Sequence, residues 1–589
     1  MLTVSIALVV RFCRRLSLLL CFLALAPAAR AEDWVRVRSA HFEVLSDAPP
    51  ERARGVAVSL ERFRRVLAAV VGRGPGRVDP PTMVVAFRDQ DSFAPFRPLY
   101  RGRSQEVEGY FQAGSDRDYI AASLGADARE ASETLSHEYA HVLLNRTLNA
   151  QPLWLAEGLA EVFSRWTAGD GEALVGRPAL DHVRRLQRET ALPIARLVQL
   201  DYTSPLYNEG EERGIFYAQS WALAHWALLG RGATGPADLE SFLSAIAAGV
   251  DPARAFASAF GASVETAETL LAAYVAAPLP AGRFPVVDLD ADITVETAAP
   301  PRAEVEFRLG DLLLHAGRLA EARRRLERAI ATDARFGPAH AALSHVAVRE
   351  GRWEEARREV ALALAADPTD AVAVFRYAEM LVRETSARGE VLSAAREAEV
   401  VASLERALTL DPQLADACEL LARLRPQPYD VRIAQVSAVL ARDPTRADLG
   451  LTLASLYARK NDLTAARATL LRTGALARDD VNRFLSQHLL SRLEMFTAGT
   501  AEVKGKLLAL DCRPRGVLRF VVAGGGTPLR LEAPSATGVF LYRRDGSEME
   551  TTFTCGAQGE PVTARYRPVP DRSPDGPDGT LMSLTFESR

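Results

Sequence analysis

The chain has 589 residues, of which 48% are hydrophobic and 25% charged, and its formal net charge is −4. This length is too great for one hydrophobic core and predicts three or four domains of ordinary globular composition. Without a strong basic stripe, the chain does not have the charge pattern of a nucleic-acid-binding protein.

The first 31 residues have the pattern of a secretory signal peptide. Arginines in the segment RFCRR precede the apolar run LSLLLCFLALAP, and the residues ARA at 29–31 form a small-x-small cleavage signal. The rival interpretation is an uncleaved membrane anchor, for which this run is short. We therefore expect cleavage after Ala31 and an exported protein, periplasmic or secreted, with no stable membrane span. Its net charge would be about −8, because the removed segment carries four arginines and no acid.

Residues 32–124 alternate between strand and helix patterns. WVRVRSAHFEVLS alternates apolar and polar residues, ARGVAVSLERFRRVLAAVV has helical spacing, and TMVVAF is typical of a short buried strand. EVEGYFQAG and RDYIAASL flank the residues SD and predict a hairpin. Residues 125–280 are predicted to be mostly helical, and the Pro-rich stretch 281–302 is predicted to be a linker.

Residues 303–495 contain an internal repeat. Gly317 and Gly351 are 34 residues apart, as are Asp333 and Asp367. This period, with small residues where two helices cross, is the signature of tetratricopeptide repeats. A helical array buries its faces by stacking. Two interpretations stay open, a packing spacer and a concave surface that binds a protein partner.

Residues 500–589 change character. Short apolar runs separated by Gly, Pro or Asp predict a small all-β domain, which fits a cap or a binding module better than an enzyme. Cys512 and Cys555 both lie in this region and are the expected disulfide pair of an exported protein. Cys418 lies on a repeat helix and is expected to be a buried small hydrophobe.

The segment SHEYAH at residues 136–141 carries the candidate chemistry. Its surroundings predict a helix with Asp127 at the start. His137 and His141 are four residues apart and share a helix face, so both imidazoles can reach one Zn²⁺ at about 2.0–2.1 Å. Glu138 lies beside them and can hydrogen-bond a water at the metal without being a ligand. The ordinary alternative is three polar residues on a helix without a metal.

The following segment, PLWLAEGLAEVF, supplies further acids. Glu157 follows His141 by sixteen residues, and Glu161 lies one turn beyond it on a predicted helix. A third protein ligand must come from a second element, and Glu157 meets that need. Glu161 can accept the ring N–H of a ligand histidine and so fix its tautomer, and it is also the fallback ligand. Taken alone, this helix would be interpreted as carrying two surface acids.

HEYAH followed by WLAEGLAE resembles the gluzincin metallopeptidases. The best match is the bacterial peptidase MA-like group, exported proteins that often carry C-terminal tetratricopeptide repeats. The resemblance implies that residues 32–280 form an α+β zincin-like metallopeptidase domain. It also implies that His137, His141 and Glu157 are zinc ligands and that Glu138 is the general base.

The resemblance also suggests where the developing oxyanion and the peptide would bind. Relatives carry a tyrosine in a downstream helix, and Tyr217 in GIFYAQSWALAHWALL is the counterpart, with Tyr202, Tyr207 and His225 as alternatives. In gluzincins the strand before the zinc helix binds an extended peptide, which places that role near Tyr119-Ile120 here.

These features together predict an exported zinc-dependent peptidase whose repeat array recruits a substrate or a protein partner. Intact Glu138 favours this interpretation. The alternative is a catalytically silent zincin-fold and tetratricopeptide scaffold, or a binding protein of the cell envelope.

Overall fold

The structure is a computed structural model of the chain. It describes residues 34–71, 82–100, 102–112, 117–147, 151–201, 204–208, 213–247, 250–286, 288–477, 480–495, 499–512, 518–533, 539–544, 554–569 and 576–587. The predicted signal peptide, residues 1–31, lies outside the described residues. In those ranges no helix combines the length and the hydropathy that a membrane crossing needs.

A mixed β-sheet lies at the centre of the N-terminal region, residues 34–301. The strands of this region are β1 (Val35–Arg38), β2 (Phe42–Ser46), β3 (Thr82–Phe87), β4 (Leu99–Tyr100), β5 (Arg103–Ser104), β6 (Gly109–Gln112), β7 (Tyr119–Ser123), β8 (Thr167–Gly169), β9 (Glu172–Val175), β10 (Gly282–Pro285) and β11 (Glu296–Ala298). The described strands of the main sheet follow the order β11-β1-β2-β3-β7-β6, and β2, β3 and β7 are parallel.

Helices connect these strands and pack against them. They are α1 (Pro50–Val71), α2 (Gln90–Phe93), α3 (Ala128–Thr147), α4 (Leu153–Ser164), α5 (Leu180–Arg188), α6 (Ile194–Leu197), α7 (Pro205–Asn208), α8 (Arg213–His225), α9 (Gly235–Ala247), α10 (Pro252–Phe260) and α11 (Val264–Ala276). Val84 and Ala86 of β3 face the core that α1 and α3 share, while Met83 and Val85 face the opposite side. This alternation follows from the two-residue period of a strand, and it makes both faces of the sheet apolar.

The predicted hairpin is present, but its assigned edge is wrong. Strands β6 and β7 pair antiparallel, with Phe111 opposite Ile120. Tyr119 and Ile120 belong to β7, which is also paired with β3, so both of its edges are occupied. Of the two hairpin strands, it is β6 that lies at an edge of the described sheet and can pair with a further chain.

The segment predicted as a linker, 281–302, contains two strands. Strand β10 pairs with β9, and β11 adds to the main sheet beside β1. Arg62 and Asp290 form an ion pair that also ties this segment to α1. The stretch is therefore attached to the N-terminal region and does not act as a free tether, because its backbone groups complete sheet ladders.

The helical array predicted for residues 303–495 is confirmed. It consists of α12 (Arg302–His315), α13 (Leu319–Thr332), α14 (Gly337–Arg349), α15 (Trp353–Ala366), α16 (Ala371–Ala387), α17 (Ala394–Leu410), α18 (Ala415–Leu424), α19 (Tyr429–Leu440), α20 (Ala447–Arg459), α21 (Leu463–Leu476) and α22 (Asp480–Met495). Gly317 and Gly351 occupy equivalent turns with φ of 73° and 72°. Only glycine adopts this conformation without strain, which explains its return after 34 residues.

The array begins on the other face of the sheet, where Phe93 of α2 also packs. Met83, Val85 and Phe87 share one buried core with residues of α12 to α14, including Leu309 and Leu312. Polar contacts cross the same boundary: the Tyr119 hydroxyl donates to Asp311 in a buried hydrogen bond, and the partly buried Arg36 pairs with Glu304 at 2.6 Å. The first repeats and the sheet are thus two sides of one hydrophobic core.

The C-terminal region forms a small β-barrel. Its strands are β12 (Ala501–Asp511), β13 (Leu518–Ala523), β14 (Leu529–Ala533), β15 (Phe540–Arg543), β16 (Gly556–Ala557), β17 (Pro561–Pro568) and β18 (Gly579–Phe586). Strand β13 pairs with both β14 and β12, which closes the ring β12-β13-β14-β18-β17. Cys512 and Cys555 form the expected disulfide, and Cys418 is free and buried.

Glu43 gives the boundary between sheet and array a pH dependence. Its buried carboxylate lies 2.9 Å from Arg117 and 3.3 Å from Arg38. Burial raises its pKa, but the charges of Arg308, Arg117 and Arg38 together hold that pKa below the ordinary value of 4.5. Ionised Glu43 therefore stabilises the fold above about pH 4.5, and this stabilisation is lost as pH falls through the lowered pKa.

We expect Glu43→Gln to lower the free energy of unfolding by about 1–3 kcal/mol at neutral pH, because the arginines lose their counter-charge. The difference from the wild type should shrink towards zero as pH falls below the lowered pKa. Urea titrations at a series of pH values measure this, with Glu354→Gln, whose side chain is 91% exposed, as the matched control. A difference that does not change with pH would contradict the assignment.

Candidate metal centre

Helix α3 is held on the sheet by its own apolar face. The Asp127 carboxylate accepts the backbone N–H of Arg129 at 2.7 Å and caps the helix start, as predicted. Tyr139 is fully buried and packs edge-on against Phe42 and Phe63, with ring centroids 4.7 and 6.4 Å away. This packing directs the opposite face of α3, which carries the two histidines of the motif, into a cleft.

Helix α4 lies close to α8 because residue 158 is glycine. A Cβ atom there would lie 2.2 Å from the carbonyl oxygen of Ser220 and 2.7 Å from the Cβ atom of Ala224. This close approach brings the N-terminal end of α8 beside Glu157, which is 3% exposed. The glycine of the segment AEGLAE is therefore needed for packing.

We expect Gly158→Ala to cost at least about 1–3 kcal/mol of stability and to lower metal affinity, because α4 and α8 must separate. Gly55→Ala in α1 is the matched control, since a Cβ atom there would meet nothing within 4 Å. That change should be neutral or stabilising by about 1 kcal/mol. Thermal unfolding of both variants checks this, and equal stability of the two would contradict the packing role of Gly158.

Three side-chain atoms converge at the floor of the cleft. His137 Nε2 and His141 Nε2 are 3.2 Å apart, and Glu157 Oε2 lies 3.4 Å from the first and 3.5 Å from the second. A tetrahedral metal with ligands at about 2.0–2.1 Å requires ligand atoms about 3.3 Å apart. The triangle therefore has the size of three corners of a zinc tetrahedron. It is the one group of potential metal ligands found among the described residues.

Two neighbours hold this triangle in place. Tyr207 donates its hydroxyl proton to Glu157 Oε1 at 3.0 Å, which leaves Oε2 directed towards the histidines. Glu161 Oε1 lies 3.6 Å from His137 Nδ1, on the side of the ring away from the triangle. Glu161 thus occupies the position expected of a group that orients a ligand, and Glu157 that of the ligand.

His182 extends the contacts of Glu161. Its Nε2 atom lies 3.1 Å from Glu161 Oε2, and its ring lies 5.7 Å from that of Trp221. No acid lies at a metal-like sequence spacing from His182, so the sequence alone indicates a structural or surface residue. Helix α5 brings it to the cleft from 21 residues away, and only the tertiary fold shows that contact.

The charges of the site attract a cation. Burial lowers the pKa of His137, but its hydrogen bond to Glu157 and the charges of Glu161 and Glu138 raise it to about 9. Burial raises the pKa of Glu157, yet the two imidazoles beside it hold that pKa well below its usual range. The acids around His137 favour a positive charge at this position, and a divalent ion can supply it.

Glu138 lies beside the triangle and is not part of it. Its carboxylate accepts the backbone N–H of Phe111 on the edge strand β6, and burial raises its pKa. The carboxylate thus lies between the edge strand and the histidines. This position suits a base that acts on a group held at the triangle.

The candidates for stabilising the oxyanion, three tyrosines and one histidine, have different surroundings. Tyr217 lies in the cleft, where Arg213 hydrogen-bonds its hydroxyl and Glu157 and burial raise its pKa. Tyr202 lies outside the described residues. His225 is excluded from the site, because its ring nitrogens contact the Tyr274 hydroxyl at 2.6 Å and a backbone carbonyl at 2.8 Å.

The cleft around these groups has a volume of about 1030 Å³. It runs beside β6 and is bounded by α3, by α5 and by the start of α8. This volume is at the upper end of small-molecule sites, which hold about 300–1,000 Å³. The edge strand and the room beside it can take a chain of several residues.

Comparisons with known proteins match the repeat array. A family model described as "Tetratricopeptide repeat" matches residues 313–375. The solved structures found include Pseudomonas aeruginosa PilF, at 21% identity and a TM-score of 0.27, covering 33% of this chain and 84% of that one. Another is a thermophilic TPR protein of Thermus thermophilus, at 20% identity and a TM-score of 0.27, covering 31% and 96%. A search of curated proteins gave no match.

The family match and the 34-residue repeat of paired helices show that the chain carries tetratricopeptide repeats. Such an array is suited to binding other proteins.

Proposed function

We propose that the protein is an exported zinc-dependent metallohydrolase of the gluzincin type, most simply a peptidase, whose repeats bind a protein partner or substrate. The observation that carries this proposal is the triangle of donor atoms of His137, His141 and Glu157, with sides of 3.2–3.5 Å and Glu138 beside it. Two nitrogens and one carboxylate oxygen are a common catalytic zinc set, which leaves a fourth position open for water or substrate.

His137, His141 and Glu157 would hold the ion. When bound, Zn²⁺ supplies Lewis acidity and lowers the pKa of water to about 7. Glu138 would take the proton of the attacking water and pass it to the leaving amine nitrogen, with Phe111 N–H keeping the carboxylate in place.

Tyr207 and Tyr217 would have separate roles. Tyr207 orients Glu157 through its hydrogen bond to Oε1. Tyr217 has its hydroxyl in the cleft and would donate to the oxyanion that develops on the substrate carbonyl. Arg213, which hydrogen-bonds this hydroxyl, adds positive charge on the same side.

The repeats provide the second part of the proposal. The array shares a core with the sheet domain, so a partner bound along it is held at a defined distance from the cleft. A concave helical surface that recruits a protein would raise the local concentration of substrate.

Metal analysis of the purified protein with His141→Ala tests the proposal. We expect about one zinc per chain in the wild type and close to none in the variant, because two of three protein ligands do not form a stable site. His345→Gln, in the array, is the control and should keep its metal. Hydrolysis of a peptide library that stops on chelation and returns with Zn²⁺ would support the peptidase. Normal zinc content without hydrolysis would favour the silent scaffold.

A further inference from the structure

Arg213 is a charged residue in the cleft that the mechanism above does not require as a ligand or a base. It is the first residue of α8, and its guanidinium carbon lies 5.7 Å from the ring centroid of Tyr217. It lines the same cavity as Tyr207 and the metal triangle, and it is half-buried. The guanidinium is therefore close to any substrate whose scissile carbonyl is at the triangle.

Among the described residues, the hydroxyls of Tyr217 and Tyr207 and the carboxylate of Glu157 act on the charge of Arg213. Its hydrogen-bond partner is the neutral hydroxyl of Tyr217, and Glu157 is the nearby carboxylate that acts on it through charge. A divalent ion bound at the triangle would offset the negative charge of Glu157. A guanidinium that lines a cleft can bind an anionic group of a ligand through charge-assisted hydrogen bonds.

The charges along the cleft agree with this. Helix α5 lies against the start of α8, since a Cβ atom at Gly214 would lie 2.3 Å from Arg185 Nη1. Arg184 of α5 and Arg177 line the cavity on the same side and are exposed. The opposite wall, near the start of α3 and β6, carries the exposed acids Glu106, Glu108, Asp127 and Glu130. Asp181 of α5 and Arg129 of α3 also line the cavity and carry the sign opposite to that of their wall. A carboxylate is attracted to the first wall and repelled by the second.

We propose that Arg213 binds a carboxylate of the peptide next to the scissile bond, so that the preferred substrates are peptides with an anionic group at that position. This rests on the proposed function. The planar guanidinium forms two parallel hydrogen bonds to a carboxylate, which gives both affinity and register. The carboxylate is either the C-terminus of the peptide or an Asp or Glu side chain, two sources of the same chemistry.

Binding to the zinc-loaded Glu138→Gln variant separates recognition from turnover. The probes are acetylated hexapeptide pools with a free or amidated C-terminus, each with Glu or Gln at one internal position, and affinity is measured by calorimetry. We expect peptides with a carboxylate to bind about 10–100-fold more tightly than those with none. Preference for the free C-terminus identifies an exopeptidase subsite, and preference for internal Glu identifies a side-chain subsite.

Arg213→Gln in the same background should abolish this preference, while Arg188→Gln, on the exposed end of α5, should keep it. Tyr217→Phe should also keep it, which distinguishes the charge of Arg213 from its support of Tyr217. Equal binding of all pools, or a preference that survives Arg213→Gln, would overturn the inference.

The proposed function can fail separately. If the wild type hydrolyses peptides but binds all pools equally, the peptidase stands and the carboxylate subsite falls. If the preference depends on Arg213 but no pool is cleaved, the subsite stands as a binding site and the peptidase falls.

Discussion

Replacing Glu138 with glutamine is expected to lower kcat/KM for peptide hydrolysis by about 10³-fold while the protein keeps its zinc. The loss would follow from removal of the proposed general base, a group whose contribution is about 10²–10⁴-fold. Zinc should stay because Glu138 is outside the group of donor atoms that converge in the cleft. The amide oxygen of glutamine can still accept the Phe111 N–H, so the fold around it should be unchanged.

Rates with the best peptide pool and zinc content per chain are measured on the same preparation. Glu240→Gln, on the exposed side of α9, is the matched control and should leave both values unchanged. Full turnover by Glu138→Gln would contradict the mechanism. Absence of turnover in the wild type, with zinc bound, would favour the scaffold interpretation instead.

Leu312→Asp is expected to destabilise the N-terminal region although the residue belongs to the repeat array. Leu312 is fully buried in the core that the first repeats share with β3 and β7. The substitution removes apolar contacts and places a carboxylate in an apolar core, at a cost of about 4 kcal/mol or more. The midpoint of thermal unfolding should fall by about 10 °C.

Leu362→Asp is the control for this change, because Leu362 lies in α15 and is 43% exposed. It should alter stability by no more than about 0.5 kcal/mol. Calorimetry and zinc retention during heating measure both variants. If Leu312→Asp unfolds the array alone and the N-terminal region keeps its metal to the wild-type temperature, the shared core does not couple the two.

The shared core also bears on how the repeats can be studied. A fragment that starts near residue 300 would expose the face of α12 that carries Leu309 and Leu312, and a fragment that ends there would expose Met83 and Val85. Large exposed apolar surfaces promote association. We therefore expect either fragment to associate with itself, and partner binding should be measured on the full chain.

Local patterns in the sequence were sufficient for several features. The four-residue spacing placed His137 and His141 on one face of α3, because helix geometry alone sets which neighbours share a face. The 34-residue period indicated the repeats, since each unit must present the same small residues to the next. The alternating runs after residue 500 indicated a β region, and Cys512 and Cys555 fell close enough to pair in it.

Other features depended on contacts between segments far apart in the chain. The sequence left Glu157 and Glu161 open as ligands, and the packing of α4 on α8 at Gly158 decides which one faces the histidines. The sequence did not indicate Arg213 or His182 as site residues, because neither lies in a recognisable motif.

Strand order is another feature that depends on contacts between distant segments. The sequence placed the free edge at Tyr119-Ile120, whereas pairing puts it on β6. Likewise, nothing in the pattern of β3 shows that its second apolar face is covered by the repeats. Periodicity records which side chains are buried, but what buries them is decided by the long-range packing of the folded chain.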